Sequence, residues 1–259
     1  MSSVAIRRKL QYLIRLALPP RRLRHVEIET TSYCNRKCVY CPNFTVGRPE
    51  EMMKDEVFEK IVSSLAKMKF RGRLSPHFYG EPLCDPRLPR LMKHAADNLP
   101  DCEIIIYTNG DFLTVEKFLE LRKAGVKRFR VSMHSKRPGK ELAETLEHVS
   151  NNADLKDAIS VVNYYEAFQA MDSTHLNNRG GLVKIARRKA EVCAYANQLT
   201  INYLGDAVLC CNDYNATVTF GNVMEREIGD IWRDRAYVKA RAMVANGIFP
   251  YDICRTCNV

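Results

Sequence analysis

Three cysteines packed into eight residues constrain this chain more than any other feature. The stretch from Thr30 to Pro42 reads T-T-S-Y-C-N-R-K-C-V-Y-C-P, so Cys34, Cys38 and Cys41 follow a C-x-x-x-C-x-x-C spacing. Three thiolates on one short loop can hold three irons of a [4Fe–4S] cluster and leave the fourth iron without a protein ligand. A structural zinc ion usually takes four protein ligands in C-x-x-C pairs. This loop offers three, at a different spacing.

The chain has 259 residues, enough for one large α/β domain with an appendage or for two modest domains. Its N-terminus lacks an uninterrupted apolar core and cleavage site of the kind a signal peptide carries, and no apolar run approaches transmembrane length. Ten cysteines without an export signal point to metal rather than to disulfides and place the chain in the cytoplasm. The net charge of +10 favours anionic partners only weakly, because much of the excess lies before residue 26. Residues 4–18 read as a basic amphipathic helix with Ile6, Leu10, Leu13, Ile14 and Ala17 on one face, ended by Pro19 and Pro20. Residues 1–24 thus form a basic N-terminal segment, either a docking arm or a helix packed on the outside.

From residue 26 the pattern alternates strand and helix. Strands are expected at Val26–Thr31, Leu74–Tyr79, Cys102–Thr108, Lys127–His134 and Ala158–Asn163. Between them lie a helix capped by Asp55, helices at Arg87–Asn98 and Lys140–Asn151, and one at Thr114–Ala124 stopped by Gly125. This rhythm means a parallel sheet with helices outside. In the first strand Glu27, Glu29 and Thr31 alternate with Val26, Ile28 and Thr30. Period two sends one set to the helices and the other to the lumen. A polar lumen suits a polar substrate, and equally suits internal Glu–Arg pairing.

The cysteine loop, with Tyr40 before its last cysteine, closely resembles the signature of the radical-SAM superfamily. Phe78-Tyr79-Gly80-Glu81-Pro82-Leu83 resembles that superfamily's G-G-E-P motif, with Tyr79 where the family often has glycine. The resemblance implies an α/β fold: a partial (β/α)6 TIM-like barrel over residues 25–182, with chemistry at the C-terminal strand ends. It implies S-adenosylmethionine chelated by the open iron, its ammonium held at Tyr79, Gly80, Glu81 and Pro82. Asn109, Ser132 and His134, at later strand ends, are carried over as contacts to its ribose and carboxylate, and Val162 and Asn163 to its adenine.

Residues 183–259 hold Cys193, Cys210, Cys211, Cys254 and Cys257, with a β-hairpin expected around Gly205-Asp206 and then a helix placing Ile228, Ile231 and Trp232 on one face. By spacing alone, four of these cysteines suit zinc as well as a second cluster. This tail resembles the small "twitch" form of the SPASM extension, which implies one auxiliary [4Fe–4S] cluster. The ligands assigned are Cys193, Cys211, Cys254 and Cys257, with Cys211 chosen over its neighbour Cys210.

The implied activity is reductive cleavage of S-adenosylmethionine to a 5′-deoxyadenosyl radical. That radical takes a hydrogen atom from a polar substrate and oxidises a secondary alcohol of a sugar or aminocyclitol to a ketone. Arg179 is the candidate to position or deprotonate the hydroxyl, with Glu29 as the second candidate base. A peptide-modifying epimerase or crosslinking enzyme is the alternative, in which a thiol such as Cys84 returns a hydrogen atom. Cys84 is also explained by packing. A flavodoxin- or ferredoxin-type donor would feed the first cluster. A third reading, a zinc protein binding nucleic acid through its basic N-terminus, conflicts with the three-cysteine loop, so no nucleic-acid partner is expected.

Overall fold

The computed structural model describes residues 7, 10, 11, 13, 14, 22–170, 176–185 and 191–258. The expected helix over 4–18 lies mostly outside these residues. Leu10, Leu13 and Ile14, which are described, are helical and exposed.

The alternating pattern folds as βα units. Strand β1 (His25–Ile28) runs into the cysteine loop, followed by the short helix α1 (Pro42–Thr45) and then α2 (Asp55–Lys67). Next come β2 (Arg73–Ser75), α3 (Leu88–Asn98), β3 (Glu103–Thr108), α4 (Val115–Lys123), β4 (Arg128–Met133), α5 (Lys140–Ser150), β5 (Ile159–Asn163) and α6 (Tyr165–Gln169). The tail adds β6 (Gln198–Ile201), β7 (Asp206–Val208), β8 (Thr219–Asn222), α7 (Ile228–Arg233), α8 (Arg235–Val244) and α9 (Asp252–Thr256).

All eight strands form one open sheet in the order β5-β4-β3-β2-β1-β6-β7-β8. The run from β5 to β6 is parallel, which makes six barrel strands; the barrel does not close. The sixth strand is the surprise. Gln198–Ile201, expected only as the first arm of the tail hairpin, pairs parallel with β1, Val26 opposite Leu199. It also pairs antiparallel with β7, through the turn at Gly205. The tail is therefore an extension of the barrel sheet.

Period two explains which side chains reach the core. Val26 and Ile28 of β1, Ile104 and Ile106 of β3, and Phe129 and Val131 of β4 are buried against the helices. Phe58, Ile61, Val62 and Leu65 of α2 meet them, with Leu91 and Met92 of α3 and Phe118 and Leu121 of α4. Thr114 caps α4, its hydroxyl accepting from the Lys117 amide at 3.1 Å. Gly125 follows with φ +98°, and a Cβ there would lie 2.4 Å from that of Ala96. Asp55 is not a cap. Lys54 holds the extended cap position, and the Asp55 carboxylate accepts instead from Arg87 at 2.8 Å and Arg90 at 2.5 Å.

Phe118 is fully buried and Phe112 is 47% exposed. Phe118→Ala is expected to cost about 3–5 kcal/mol of stability by cavity creation. Phe112→Ala should stay within about 0.5 kcal/mol. Urea unfolding of both variants, followed by circular dichroism, checks this.

Candidate active site

A cavity of about 980 Å³ runs through the lumen from His25, Arg73 and Gln198, the first residues of β1, β2 and β6, to the loops at the C-terminal strand ends, where Cys34, Cys38 and Cys41 line it. Their loop is tied down at several points. The Ser32 hydroxyl donates to the Pro49 carbonyl at 2.7 Å, and the Cys41 amide donates to the Cys38 carbonyl at 2.9 Å. Arg36 forms a two-point pair with Asp111, at 2.6 and 2.5 Å, and Asn35 donates to the same carboxylate at 2.8 Å. Tyr40 meets His134 Nδ1 through its hydroxyl.

Gly80 sits against this loop for a steric reason. A Cβ there would lie 1.9 Å from the Thr31 carbonyl oxygen, so only glycine lets the two loops meet. The next residue, Glu81, is 4% exposed and lines the cavity. Its carboxylate accepts from the Thr108 hydroxyl at 2.6 Å, the Asn109 amide at 2.8 Å and the Leu83 amide at 3.1 Å. Burial pushes its pKa up to about 7, against those hydrogen bonds. Tyr79, Asn109, Ser132 and His134 line the same cavity. Burial, aided by Arg36, lowers His134 to about 4, so its ring is neutral. Pro82 opens the turn Pro82–Cys84 and does not line the cavity. Neither do Val162 and Asn163: they belong to the edge strand β5, and Tyr164 takes the place facing the cavity.

Arg179 enters the cavity from the turn Arg179–Gly181, in a left-handed conformation with φ +51°. The turn is pinned by α9, where the Thr256 hydroxyl donates to the Gly180 carbonyl at 2.6 Å. The guanidinium lies 5.7 Å from the centre of the Tyr79 ring. Burial opposes its charge, but the surrounding Tyr79 and Cys211 groups outweigh that and hold its pKa above the ordinary arginine value. Arg179 is therefore a fixed cation that donates hydrogen bonds and does not act as a base.

Two sequence-derived candidates are displaced. Glu29 does not line the cavity. It is fully buried, its carboxylate engaged by Arg48 and reached by the Tyr79 and Tyr203 amides at 3.4 Å each. The Arg48 guanidinium in turn sits among the rings of Phe78, Tyr79, Tyr203 and Tyr214, 4.4 Å from the centre of the last. Strand β1 ends at Ile28, so the alternation does not carry Glu29 into the lumen. The carboxylate in the cavity is Glu27, which sequence reasoning named only as part of a polar face. Thr200 donates to Glu27 at 3.0 Å, and His77 Nε2 lies 3.8 Å away. Burial raises Glu27 to about 7, opposed by Thr200 and by the Arg179 charge. His25 and His77 beside it are lowered to about 4 and about 3, first by burial, and are neutral. Cys84 also misses the cavity, its sulfur 3.8 Å from the Asn35 side-chain oxygen.

The tail cysteines form a second, small pocket. It is lined by Cys193, Cys210, Cys254 and Cys257, and Asn212 donates to the Cys257 sulfur at 3.4 Å. Cys211, assigned to this group from sequence, lines the large cavity instead. Just past β7, neighbouring side chains still point to opposite sides. Cys210 packs on the main core and Cys211 on the cluster of Phe78, Tyr79, Val208 and Tyr214. All ten cysteines are free thiols, and among the described residues no three metal-binding side chains converge on a single ion. Three thiols around a wide cavity and four around a small pocket are donor sets suited to multi-iron clusters.

Comparison with known proteins gives this geometry a family. Residues 28–169 match the radical SAM superfamily, and residues 193–258 match SPASM, an iron–sulfur cluster-binding domain. The chain belongs to the radical SAM superfamily, whose [4Fe–4S] cluster and S-adenosylmethionine, with an auxiliary iron–sulfur cluster in the SPASM region, are its cofactors. It is 30% identical, over 90% of its length and 92% of the relative's, to the S-adenosyl-L-methionine-dependent 2-deoxy-scyllo-inosamine dehydrogenase of Niallia circulans. It is 34% identical to the GTP 3′,8-cyclase of Acidothermus cellulolyticus over 48% of this chain and 36% of that one. Among solved structures, BtrN in complex with AdoMet and 2-DOIA superposes with a TM-score of 0.84 at 28% identity, covering 93% of this chain and 95% of that one. BtrN in an open conformation gives 0.71 at 27% identity, covering 92% of this chain and 94% of that one. Among the described residues, no helix is long and apolar enough to cross a membrane.

Removing Arg48 would strand the buried Glu29 charge. Arg48→Met is expected to cost about 3–5 kcal/mol, and the double change Arg48→Met/Glu29→Met to recover most of it. Denaturant unfolding of the wild type, the single and the double variant measures both.

Proposed function

We propose that this enzyme oxidises a secondary alcohol on a cyclic polyol or aminocyclitol to a ketone. The observation that carries the reading is Glu27: a buried carboxylate poised near neutrality, facing the same cavity as Arg179 and the three-cysteine loop. The near full-length likeness to an aminocyclitol dehydrogenase supports it.

In this reading Cys34, Cys38 and Cys41 hold the first cluster, and Cys193, Cys210, Cys254 and Cys257 the auxiliary one. Gly80, Glu81, Asn109, Ser132 and His134 line the place for S-adenosylmethionine. When bound, these cofactors supply a carbon radical that takes the carbinol hydrogen atom, and a sink for the second electron. The protein supplies the rest. Arg179 donates to the substrate hydroxyl oxygen and fixes it. Removing the carbinol hydrogen makes that hydroxyl far more acidic, and Glu27 accepts its proton. The Arg179 charge stabilises the oxygen as the proton leaves. Thr200 holds the Glu27 carboxylate in place, and the neutral His25 and His77 offer hydrogen bonds to the other ring substituents without adding charge. A flavodoxin- or ferredoxin-type protein is the proposed electron donor, beside the exposed Val39 of the cysteine loop and Phe44 and the C-cap Val46 of the helix α1 that follows it.

Glu27 must be ionised to act as a base. With its pKa about 7, ketone formation should rise with pH through that value and level off above it. Glu27→Gln is expected to lower ketone formation by about 100-fold or more and to abolish that pH dependence. 2-Deoxy-scyllo-inosamine, S-adenosylmethionine and dithionite under anaerobic conditions provide the assay, with ketone and 5′-deoxyadenosine measured by mass spectrometry. An unchanged rate and pH profile in the variant would remove Glu27 from the base role.

A further inference from the structure

The oxidation uses Glu27 and Arg179 and leaves the charge at the other end of the cavity unexplained. There lie His25, Arg73 and Gln198, at the starts of their strands. His25 is two residues before Glu27 on the same face of β1, about 7 Å away by strand geometry. Its ring stacks on Tyr107 with centres 6.3 Å apart, and the His77 ring stacks on Tyr107 at 4.5 Å. The sheet brings an arginine to each side of this layer. Arg73 is in register with His25, and Arg130 with Tyr107. Both line the cavity and both are exposed. Among the described residues, neither guanidinium has an ion pair or a hydrogen bond. Glu103, opposite Arg73 on β3, is engaged by Arg128 instead. His25 is neutral, lowered first by burial and then by the Arg73 charge, and supplies no counter-charge. Of the carboxylates lining the cavity, Glu81 is held by three donors beside the cysteine loop, Glu27 feels Arg179, and Glu191 is exposed ahead of Cys193.

We propose that the substrate is a phosphorylated cyclic polyol, its phosphate monoester bound by Arg73 and Arg130 while its carbinol faces Glu27 and Arg179. The proposal rests on the alcohol-oxidation reading of the same cavity. Arginine presents its N–H donors as a planar fork that matches phosphate and carboxylate oxygens. One fork satisfies a carboxylate. A phosphate monoester has three free oxygens for two forks, and it carries about two negative charges at neutral pH. An amine at this end would meet two like charges, which favours a phosphorylated polyol over an aminocyclitol. The span from Arg73 to Glu27 is that of a six-membered ring with one substituent. The phosphate therefore fixes the ring at one end, and the hydroxyl on the far side of the ring is presented to the base.

The test measures binding to the reconstituted holoenzyme by anaerobic calorimetry, with S-adenosylmethionine present and no reductant. The probes are myo-inositol 1-phosphate, myo-inositol and glucuronate. Wild type is expected to bind the phosphate about 10-fold or more tightly than myo-inositol. Arg73→Gln and Arg130→Gln should each remove most of that advantage, with iron content and S-adenosylmethionine affinity as in wild type. Equal affinity for the two polyols in wild type, or an advantage that survives both substitutions, would overturn the proposal. So would glucuronate binding as tightly as the phosphate, which would make this a carboxylate site. Loss of S-adenosylmethionine affinity in Arg130→Gln would also overturn it, by making Arg130 a cofactor contact. Turnover with dithionite separates this proposal from the oxidation itself. Ketone from 2-deoxy-scyllo-inosamine, with no preference for the phosphate, would sink the anion site and leave the oxidation standing. Preferential binding of the phosphate, with no ketone from either compound, would do the reverse.

Discussion

The buried pair between Glu29 and Arg48 is the constraint on which the site depends. Glu29 follows the last residue of the first strand, and Arg48 lies on the far side of the cysteine loop. Their contact folds that loop back over the sheet, and the four rings around the guanidinium come from both halves of the chain: Phe78 and Tyr79 after β2, Tyr203 and Tyr214 from the tail. Two charges out of water are costly, so such a pair specifies one arrangement more than it adds stability. Here that arrangement sets Cys41 of the cysteine loop and Cys211 of the tail against a common aromatic wall. The shared strand β6 does the same job through the backbone, since it pairs with the barrel on one edge and with the tail on the other.

Burial then sorts the chemistry inside the cavity. Two carboxylates are pushed up to about the same value, near 7, by the same cause. Their surroundings separate their roles. Glu81 is held by three donors from fixed backbone and side-chain positions. A carboxylate so fixed can orient a cation and has little freedom to exchange a proton. Glu27 accepts from Thr200 and faces Arg179 across the cavity, a setting in which a proton can arrive from a substrate. The three histidines nearby are driven neutral by burial. The cations of the cavity are then its arginines: Arg36 is paired with Asp111, Arg73 and Arg130 line the wall, and Arg179 is the one whose charge acts on Glu27.

The parts of the site that were legible in the sequence are those where chemistry and spacing coincide locally: Cys34, Cys38 and Cys41 on one loop, Gly80-Glu81 at a strand end, and the βα rhythm that makes a parallel sheet. What was not legible depends on where a strand stops. Glu27 and Glu29 share a phase, and only the end of β1 at Ile28 separates a lumen residue from one claimed by Arg48. Cys210 and Cys211 are adjacent, and the choice between them turns on which side of the chain faces the tail pocket. The dual pairing of β6 was hidden because a hairpin arm and a barrel strand have the same period. Cys84 is near the Gly80-Glu81-Pro82 motif in sequence, yet its turn points it elsewhere, and Asn163 ends the edge strand β5 outside the cavity.

The central claim is that two separate cysteine groups flank one substrate cavity, the second completed by Cys210. Iron per chain after anaerobic reconstitution tests it most directly. The account predicts roughly eight irons in the wild type, and about four in both Cys34/Cys38/Cys41→Ala and Cys210→Ala, by the stoichiometry of two four-iron clusters. Full iron in Cys210→Ala, or about four irons in the wild type with zinc in the tail, would contradict it.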